Sequence, residues 1–271
     1  KLMAHARDSA GTSGKSDPID ALAIARAALR EPDLPTAYLD DAAREIRLLV
    51  DHREDIVAER TRCNNLVRWH FHELDPGWEP NARGLTAFKN LDLAETRLAG
   101  NDTVRGQIAR NLIKRIRELT IEINDLGAEL DQRTAESAAH LREIPGVAAL
   151  SAAKFIAEVA GIGRFKSRNA FARHNGTAPL PVWSGNRERH RLSRTGNRQL
   201  NAALHRIALT QARYHPEAVA FIERRTASGD SGKEAIRALK RSLSDVVYRA
   251  MTADLAAHLD RPPAELSQAA A

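Results

Sequence analysis

Two long stretches of the chain carry apolar residues at the three- and four-residue spacing of an α-helix. The first covers residues 41–74, and the second covers residues 102–136, where leucine and isoleucine alternate steps of four and three. Between them, a Pro-Gly turn and residues 78–100 are expected to form a loop or a small irregular cap. The pattern therefore predicts a long, coiled-coil-like, antiparallel helical hairpin over residues 38–140.

Shorter helices are predicted on both sides of this hairpin. One helix before it is expected at residues 21–30. The helices expected after it cover residues 148–160, 168–174, 199–214, 217–226 and 233–258. Aromatic residues make up only 4% of the chain, which also favours helices over sheet. The predicted fold class is mainly α, and the predicted domains are residues 1–37, 38–140 and 141–260, followed by a tail over 261–271.

The charged residues are unevenly distributed along the chain. The net charge is only +6, but residues 164–213 contain eleven lysines and arginines and a single acid, Glu188. A solvated face usually mixes both signs, as the two long helices do. The one-sided block therefore indicates a polyanionic partner, most simply a nucleic acid.

Two broad classes of protein are excluded by the composition. Cys63 is the only cysteine, which excludes a disulfide framework and a thiolate zinc site. No apolar run approaches the length of a membrane span, and no secretory signal opens the chain. A cytoplasmic protein without a membrane partner is expected.

The segment from Pro179 to Arg198 combines a serine with a run of arginines. Ser184 lies between Trp183 and Gly185, and a loop is expected around it. The arginines that follow are Arg187, Arg189, Arg191, Arg194 and Arg198. Guanidinium groups bind phosphate oxygens bidentately, and a glycine allows close backbone approach, so the segment suits an alcohol that meets a phosphodiester. The alternative is a surface turn with a charged hairpin, since Pro, Ser, Gly and Asn are ordinary turn residues.

A second candidate contact is the turn Ile144-Pro145-Gly146-Val147, which lies between two predicted helices. It resembles the helix-hairpin-helix, whose backbone amides contact phosphates without reading sequence. An ordinary inter-helix turn is the alternative. The basic residues that follow, Arg164, Lys166 and Arg168, favour the nucleic-acid interpretation.

Asp17 and Asp20 stand three residues apart near the predicted start of the first helix. Residues at this spacing share a helix face, so the two carboxylates suit a shared divalent ion. Acids are also common at helix starts, where they cap backbone amides and complement the helix dipole. Spacing alone favours the capping role.

Taken together, these motifs resemble a known family. It comprises the insertion-sequence transposases that combine an N-terminal RuvC-like acidic domain with a C-terminal serine domain, the RNA-guided bridge recombinases. The resemblance spans nearly the whole chain in the order of the family. The segments that carry it are Lys15 to Ala21, Ile144 to Val147, Arg164-Phe165, Gly176 to Pro179, Ser184-Gly185 and Thr195 to Arg198.

The resemblance implies a function and a role for each motif. Four carboxylates of the family's RuvC-like domain hold Mg²⁺, and Asp17 and Asp20 match the last two. The family's catalytic serine falls in the Ser-Gly step, which is Ser184-Gly185 here. The implied activity is DNA strand exchange through a covalent serine–DNA link, with a guide RNA that selects both DNA partners. The implied fold is the helical end of a RuvC-like α/β domain, the long helical hairpin, and a compact helical serine domain. From their pattern alone, the two long helices form either an antiparallel hairpin or a dimerisation arm.

The candidate site residues follow from this assignment. The catalytic residues are Ser184, Asp17 and Asp20, and the two aspartates are also the metal ligands, with Mg²⁺ as the cofactor. The residues expected to bind nucleic acid are Pro145, Gly146, Arg164, Lys166, Arg168, Gly185, Arg187, Arg189, Arg191, Arg194 and Arg198. DNA, a guide RNA and further copies of the chain, as a dimer or tetramer, are the expected partners. His190 is the candidate general base, with a phosphate-facing or solvated role as the alternative.

One feature departs from the family pattern. The family's first two acids lie well upstream of the Asp-x-x-Asp pair, and no residue precedes Lys1 to carry them. The chain is therefore expected to be a recombinase that lacks most of its RuvC-like domain. Two other functions stay open: a non-catalytic RNA- and DNA-binding oligomerisation fragment, and a RuvC-type, metal-dependent junction nuclease in which Ser184 only positions phosphate.

Overall fold

The computed structural model describes residues 17–31, 37–80, 84–184, 187–191 and 196–260, with the backbone alone for residues 181–184 and 187–191. The fold is mainly α, as predicted. The chain divides into two compact units, residues 1–38 and residues 39–271. None of the described helices is long and apolar enough to cross a membrane.

The first unit contains helix α1, Asp17–Arg30. This helix begins four residues before the predicted start at residue 21. Its first turn includes Pro18, which is well tolerated there because its fixed φ is helical and the first backbone N–H groups have no partner within the helix. Asp17 and Asp20 thus lie in its first turn, and Ala23 and Ala27 are buried four residues apart. The favourable interaction of first-turn acids with the helix dipole explains the early start.

The second unit begins with a helical arm made of α2, Asp41–Leu74, and further along the chain a partner helix of equal length. The arm is antiparallel, since ion pairs join the two helices in opposite order along the chain. Arg133 reaches Glu45 at 2.6 Å, and Arg115 reaches Glu59 at 2.8 Å. Side-chain caps fix both helix starts, with Asp40 accepting from Ala43 N at 2.7 Å and Thr103 accepting from Gly106 N at 3.1 Å.

The prediction of a loop or irregular cap over residues 78–100 is wrong for much of that segment. A 3₁₀ turn, Gly84–Thr86, leads into helix α3, Phe88–Arg97, and the partner helix of the arm follows as α4, Val104–Ser137. Leu85 and Leu91 are fully buried against the end of the arm. This small helix closes the apolar core that α2 and α4 leave open at their turn.

The C-terminal part of the second unit packs helices of 4 to 28 residues around a separate core. They are α5 Ala139–Arg142, α6 Ala149–Val159, α7 Arg168–His174, α8 Arg198–Tyr214, α9 Pro216–Ala227 and α10 Gly232–Leu259. Phe155, Phe171, Leu204 and Val247 are fully buried in this core. Helix α6 also packs on the base of the arm, where Ala153 meets Ile46, Val50 and Leu130.

Two short strands interrupt the helices of this C-terminal part. Strand β1, Leu180–Ser184, pairs antiparallel with strand β2, Arg187–Arg191. The prediction of a loop around Ser184 is therefore wrong, and the charged hairpin that was its alternative is the observed backbone. Alternating residue types across Pro181 to Ser184 form a strand pattern too short to stand out beside the helical signals.

Candidate serine hairpin and nucleic-acid interface

The pairing register determines where Ser184 lies on the β1–β2 hairpin. Ser184 pairs with Arg187, next to the two-residue connection, while Val182 pairs with Arg189 and Leu180 with Arg191. Directly paired residues in an antiparallel ribbon share a face, and alternate positions along a strand share it too. The register therefore puts Ser184, Arg187, Arg189 and Arg191 at positions of one face.

The other face of the hairpin takes the remaining register positions. Trp183 pairs with Glu188, and Pro181 pairs with His190. His190 thus occupies a position on the opposite face from Ser184. Gly185 and Arg194, also predicted site residues, lie outside the described residues.

A buried asparagine fixes the chain just before β1. Asn175 is fully buried and donates from Nδ2 to Ser244 Oγ of α10 at 2.8 Å. Its Oδ1 accepts from the backbone N and the hydroxyl of Thr177, at 3.1 and 2.7 Å. Its backbone carbonyl accepts from Asn201 Nδ2 of α8 at 3.0 Å. These bonds anchor the start of the hairpin to two helices.

Gly196 and Asn197 fix the chain just after β2. Gly196 has a φ of +113°, and a Cβ there would lie 2.7 Å from the carbonyl oxygen of His174 and 2.8 Å from the backbone N of Gly176. Only glycine fits this close approach without a shift of backbone. The backbone N of Asn197 donates to the same His174 oxygen at 2.6 Å. The two ends of the hairpin are thus held against each other.

Asn197 also links the hairpin to the helical arm. Its Oδ1 caps α8 by accepting from Leu200 N at 3.0 Å, and its Nδ2 donates to Glu158 at 2.5 Å. Glu158 lies 3.8 Å from the buried amine of Lys154, which forms a 2.8 Å salt bridge with Glu54 of the arm. A continuous polar chain therefore runs from the end of the hairpin to α2.

Arg164 has a packing role in the structure. Its Nε donates to the carbonyl of Val159 at the end of α6 at 2.9 Å, and its guanidinium stacks 4.4 Å from the ring centre of Phe165. Its Nη2 lies 3.3 Å from Nε2 of His174. Burial lowers the pKa of His174, and the positive charge of Arg164 acts in the same direction. A neutral His174 can accept this hydrogen bond, whereas contact of Arg164 with nucleic acid stays a prediction.

We call residues 164–213 the basic segment. Lys166, Arg198 and Arg206 are exposed in it, and none of them has a carboxylate within salt-bridge distance among the described residues. Arg168 is exposed too and reaches Asp245 of α10 at 3.9 Å. Most of the described cations of the segment therefore face solvent without a neutralising acid.

The predicted helix-hairpin-helix turn joins α5 to α6. Val147 N donates to Ile144 O at 2.9 Å, and Gly146 has a φ of +86°, as expected for the third residue of a type II turn after Pro145. Gln211 of α8 donates to the carbonyl of Pro145 at 2.6 Å. Pro145 and Gly146 are exposed, so this rigid turn can approach a phosphate backbone.

Asp17 and Asp20 belong to the first unit of the chain and Ser184 to the second. Both aspartates lie in the first turn of α1, three residues apart, and they supply the oxygen donors that Mg²⁺ prefers. No group of three or more His, Cys, Asp or Glu side chains suited to a metal occurs within the described ranges. The pair fits part of a Mg²⁺ site and would need further oxygen ligands.

Sequence reasoning overlooked the residues that hold the hairpin, namely Asn175, Lys154, Glu158, Asn201 and Lys240, whose Nζ donates to Asn201 Oδ1 at 2.7 Å. Asn175 and Asn201 are the residues for which a signal existed. Asn175 precedes Gly176, and Asn201 follows the Thr-Gly-Asn motif by four residues. Buried lysines on helices give no comparable signal in the sequence, because lysines are almost always exposed and are predicted to be so.

Comparison with known proteins gives matches at both ends of the chain. Residues 138–223 match the model described as the transposase IS116/IS110/IS902 family, and residues 1–76 match the DEDD transposase model of IS110 elements. The uncharacterized 42 kDa protein of insertion element IS900 from Mycobacterium paratuberculosis is 27% identical over 305 aligned positions. The uncharacterized 44.8 kDa protein of insertion element IS116 from Streptomyces clavuligerus is 26% identical over 298.

Each of these two alignments covers 92% of this chain and 74% of the relative. The two family models together match more than half of the 271 residues, in the order DEDD part first and transposase part second. The second match contains α6, α7, the β1–β2 hairpin and all of α8, and so contains the anchored serine hairpin. The chain belongs to the IS116/IS110/IS902 family of insertion-sequence transposases.

Proposed function

We propose that this transposase exchanges DNA strands through a covalent link to Ser184, on DNA partners selected by a guide RNA. The hairpin register carries the proposal. It gives Ser184 and three arginines, Arg187, Arg189 and Arg191, positions on one face of a ribbon whose two ends are anchored to the helical core. A hydroxyl beside several guanidiniums suits nucleophilic attack on a phosphodiester.

The proposed reaction has two steps. In the first, the Ser184 oxygen forms a bond to phosphorus, the bond from phosphorus to one sugar oxygen breaks, and the serine proton ends on that sugar oxygen. In the second, a hydroxyl of another strand attacks the same phosphorus, the bond from phosphorus to the Ser184 oxygen breaks, and the proton of the attacking hydroxyl ends on that oxygen. The positive charges at 187, 189 and 191 neutralise the charge that develops on the phosphoryl oxygens.

The register also bears on the general base. His190 lies at a position on the face opposite Ser184, paired with Pro181. A base must come within hydrogen-bond reach of the hydroxyl it deprotonates. We therefore assign His190 to a role other than that of the base.

Asp17 and Asp20 are the residues proposed to hold Mg²⁺. A bound Mg²⁺ would polarise phosphoryl oxygens and stabilise the leaving oxygen. Both aspartates lie in the first turn of α1, and residues 1–76 match the DEDD transposase model. Acidic residues in such a model support the assignment of a divalent metal to this part of the chain.

The guide RNA and self-association are further parts of the proposal. The exposed cations of the basic segment without a salt bridge among the described residues provide positive surface for RNA phosphates as well as for DNA. The arm carries exposed apolar side chains on both helices, among them Leu48, Leu66 and Ile121. These support the arm as the dimerisation element.

The test compares Ser184→Ala and Arg187→Ala in the complete transposase with guide RNA and Mg²⁺. Ser184→Ala should abolish the covalent protein–DNA adduct in denaturing electrophoresis. Its DNA affinity should fall by less than about tenfold, since one neutral hydrogen bond contributes on the order of 1 kcal/mol. Arg187→Ala should weaken both binding and rate, because a guanidinium contacts phosphate in ground and transition states alike.

The same assay separates the two other functions. A binding and oligomerisation fragment would give neither adduct nor cleavage with any variant. A junction nuclease would cleave DNA without an adduct. An adduct that persists in Ser184→Ala would refute the proposed nucleophile.

A further inference from the structure

A cavity of about 480 Å³ lies beside the base of the serine hairpin. Its wall includes Thr177 and Pro179 just before β1, Phe221 of α9, and Arg237 and Lys240 of α10. The segment that leads into β1 therefore forms part of this wall.

Lys240 is a buried cation on this cavity without an acidic partner. The residue is 7% exposed, and its Nζ donates to Asn201 Oδ1 at 2.7 Å. An ammonium group has three donors. No carboxylate of the described part of the chain lies within salt-bridge distance of it. Burial lowers the pKa of Lys240, and the neighbouring charge of Arg237 lowers it further.

The acids on the cavity wall are already engaged. Asp230 forms a salt bridge with Arg225 at 2.5 Å. Glu234 accepts from the backbone N and hydroxyl of Ser231, at 2.9 and 2.6 Å, in the capping box of α10. The hydrogen bonds from Ser231 lower the pKa of Glu234, and the positive charges of Arg237 and Arg225 act in the same direction.

Some of the cations on the cavity wall form salt bridges, and others do not. Arg241 is held by Asp245 and by Asn169 Oδ1, the latter at 2.7 Å. Arg225 is held by Asp230. Lys240 and Arg237 therefore remain as cations without a salt bridge to any described residue, and both line the cavity.

We propose that this cavity binds a phosphodiester group of a nucleic-acid strand through Lys240 and Arg237. A phosphate accepts several charge-assisted hydrogen bonds, which matches the donors that Lys240 and Arg237 leave unused. The volume exceeds that of a phosphate, so it also admits the attached sugar. DNA and RNA present the same group, and both are partners in the proposed function, although the cavity does not depend on serine chemistry.

Binding here would be coupled to the serine hairpin. Asn201, which accepts from Lys240, donates through Nδ2 to the carbonyl of Asn175. Asn175 anchors the chain before β1 through Thr177. A strand held by Lys240 is therefore held next to the anchored base of the hairpin.

The test measures binding of fluorescent duplex DNA, and of RNA of the same sequence, as a function of salt. Lys240→Met and Arg237→Gln should each lower the slope of log affinity against log salt for duplex DNA by about 0.9, the value of one phosphate contact. At about 50 mM salt the affinity should fall about tenfold. For single-stranded RNA the corresponding decrease in slope is about 0.7.

Two matched controls accompany these variants. Lys233→Gln removes an exposed cation of α10 that does not line the cavity, so its slope should stay near that of the parent. Lys154→Met removes a buried lysine that is paired with Glu54 and Glu158. Its salt slope shows how much the loss of a buried lysine away from the cavity changes nucleic-acid binding. Arg237 is exposed, and Arg237→Gln keeps the proposal testable even if Lys240→Met fails to fold.

The nucleic acids distinguish the source of the phosphate. A lower slope with DNA assigns the cavity to a DNA strand, and a lower slope with RNA alone assigns it to the guide. Unchanged slopes for Arg237→Gln and for a folded Lys240→Met, with both nucleic acids, would overturn the proposal. An adduct that persists in Ser184→Ala would refute the serine proposal without changing the slopes expected here, so the two proposals fail separately.

Discussion

The helical arm and the basic segment use arginine in opposite ways. On the arm, six of the eleven arginines pair with carboxylates, and Arg97 of helix α3 pairs with Asp75. The six arginines of the arm are Arg47, Arg68, Arg105, Arg115, Arg117 and Arg133. In the basic segment, Lys166, Arg173, Arg198, Arg206 and Arg213 have no such partner among the described residues. Exposed ion pairs contribute little stability, so on the arm they mainly balance charge, whereas unpaired cations favour a polyanion.

The two lysines that are buried in the described part of the chain, Lys154 and Lys240, show the same contrast between a paired and an unpaired cation. Lys154 pairs with Glu54 and Glu158 where α6 meets the arm. Lys240 has one neutral partner, Asn201, and lines a cavity. A buried charge without an acid is costly, and such groups are concentrated at functional sites. Cations of the helical scaffold are thus salt-bridged more often than cations of the surface that we assign to nucleic acid.

The largest effect on stability is expected for Gly196→Ala. Its Cβ would approach two backbone atoms within 2.8 Å at a φ of +113°, so backbone must move and the hairpin ends must separate. The free energy of unfolding should fall by about 3 kcal/mol or more. Urea denaturation followed by circular dichroism measures it.

Gly229→Ala is the matched control for this variant. Gly229 also has a positive φ, +98°, but nothing lies within 4 Å of its Cβ position. Gly229→Ala should lower the free energy of unfolding only by the backbone strain of a positive φ, about 1 kcal/mol. Equal losses for the two variants would show that the contact between the hairpin ends does not contribute.

A smaller effect, on binding alone, is expected from neutralising exposed cations of the basic segment. The triple variant Lys166→Gln, Arg198→Gln, Arg206→Gln should lower the salt slope for duplex DNA by roughly 2.7, or 0.9 per phosphate contact. Between about 50 and 200 mM salt, the parent should lose roughly fortyfold more affinity than the variant. Fluorescence anisotropy over a salt series measures both quantities.

The arm provides the control with the same change of charge. Arg68→Gln, Arg115→Gln and Arg133→Gln together remove three cations that carboxylates already neutralise. The salt slope of this arm variant for duplex DNA should stay close to that of the parent protein. If the arm variant lost as much slope as the variant of the basic segment, charge pairing would not mark the binding surface.

The smallest effect is a pH dependence that Lys240 imposes on stability. Burial and Arg237 hold its pKa in the folded protein below the ordinary 10.5. Between the folded and unfolded pKa values the unfolded chain binds more protons, so stability rises with pH across this window. The rise should be smaller in Lys240→Met, as measured by urea midpoints from pH 8 to 10. Identical rises in parent and variant would contradict an uncompensated charge at Lys240.

Regular periodicity made most of the helical fold predictable. The bounds of α2 and α7 agree with the sequence, because a long apolar stripe marks α2 and clear stop signals follow both helices. Helix α3 was missed, since its short apolar spacing around Leu91 is obscured by neighbouring Pro and Gly residues. The β1–β2 hairpin was missed because its strands have five residues each.

The candidate site was less predictable than the fold. The serine and the arginines were recognised from residue type and order, and their common face followed only from the pairing register. The anchoring of the hairpin depends on tertiary contacts between residues far apart in sequence. Asn175 reaches Ser244, and Asn197 reaches Glu158, and no local pattern encodes such pairs.

Peptide mapping of the covalent adduct tests the central claim most directly. The complete transposase would be incubated with guide RNA, Mg²⁺ and labelled DNA, digested, and analysed by mass spectrometry for a peptide that carries a nucleotide. We expect the modification on the peptide that contains Ser184, at the Ser184 oxygen. A modification on Ser193 or on a tyrosine such as Tyr214 would contradict the assignment of the serine hairpin as the reacting element.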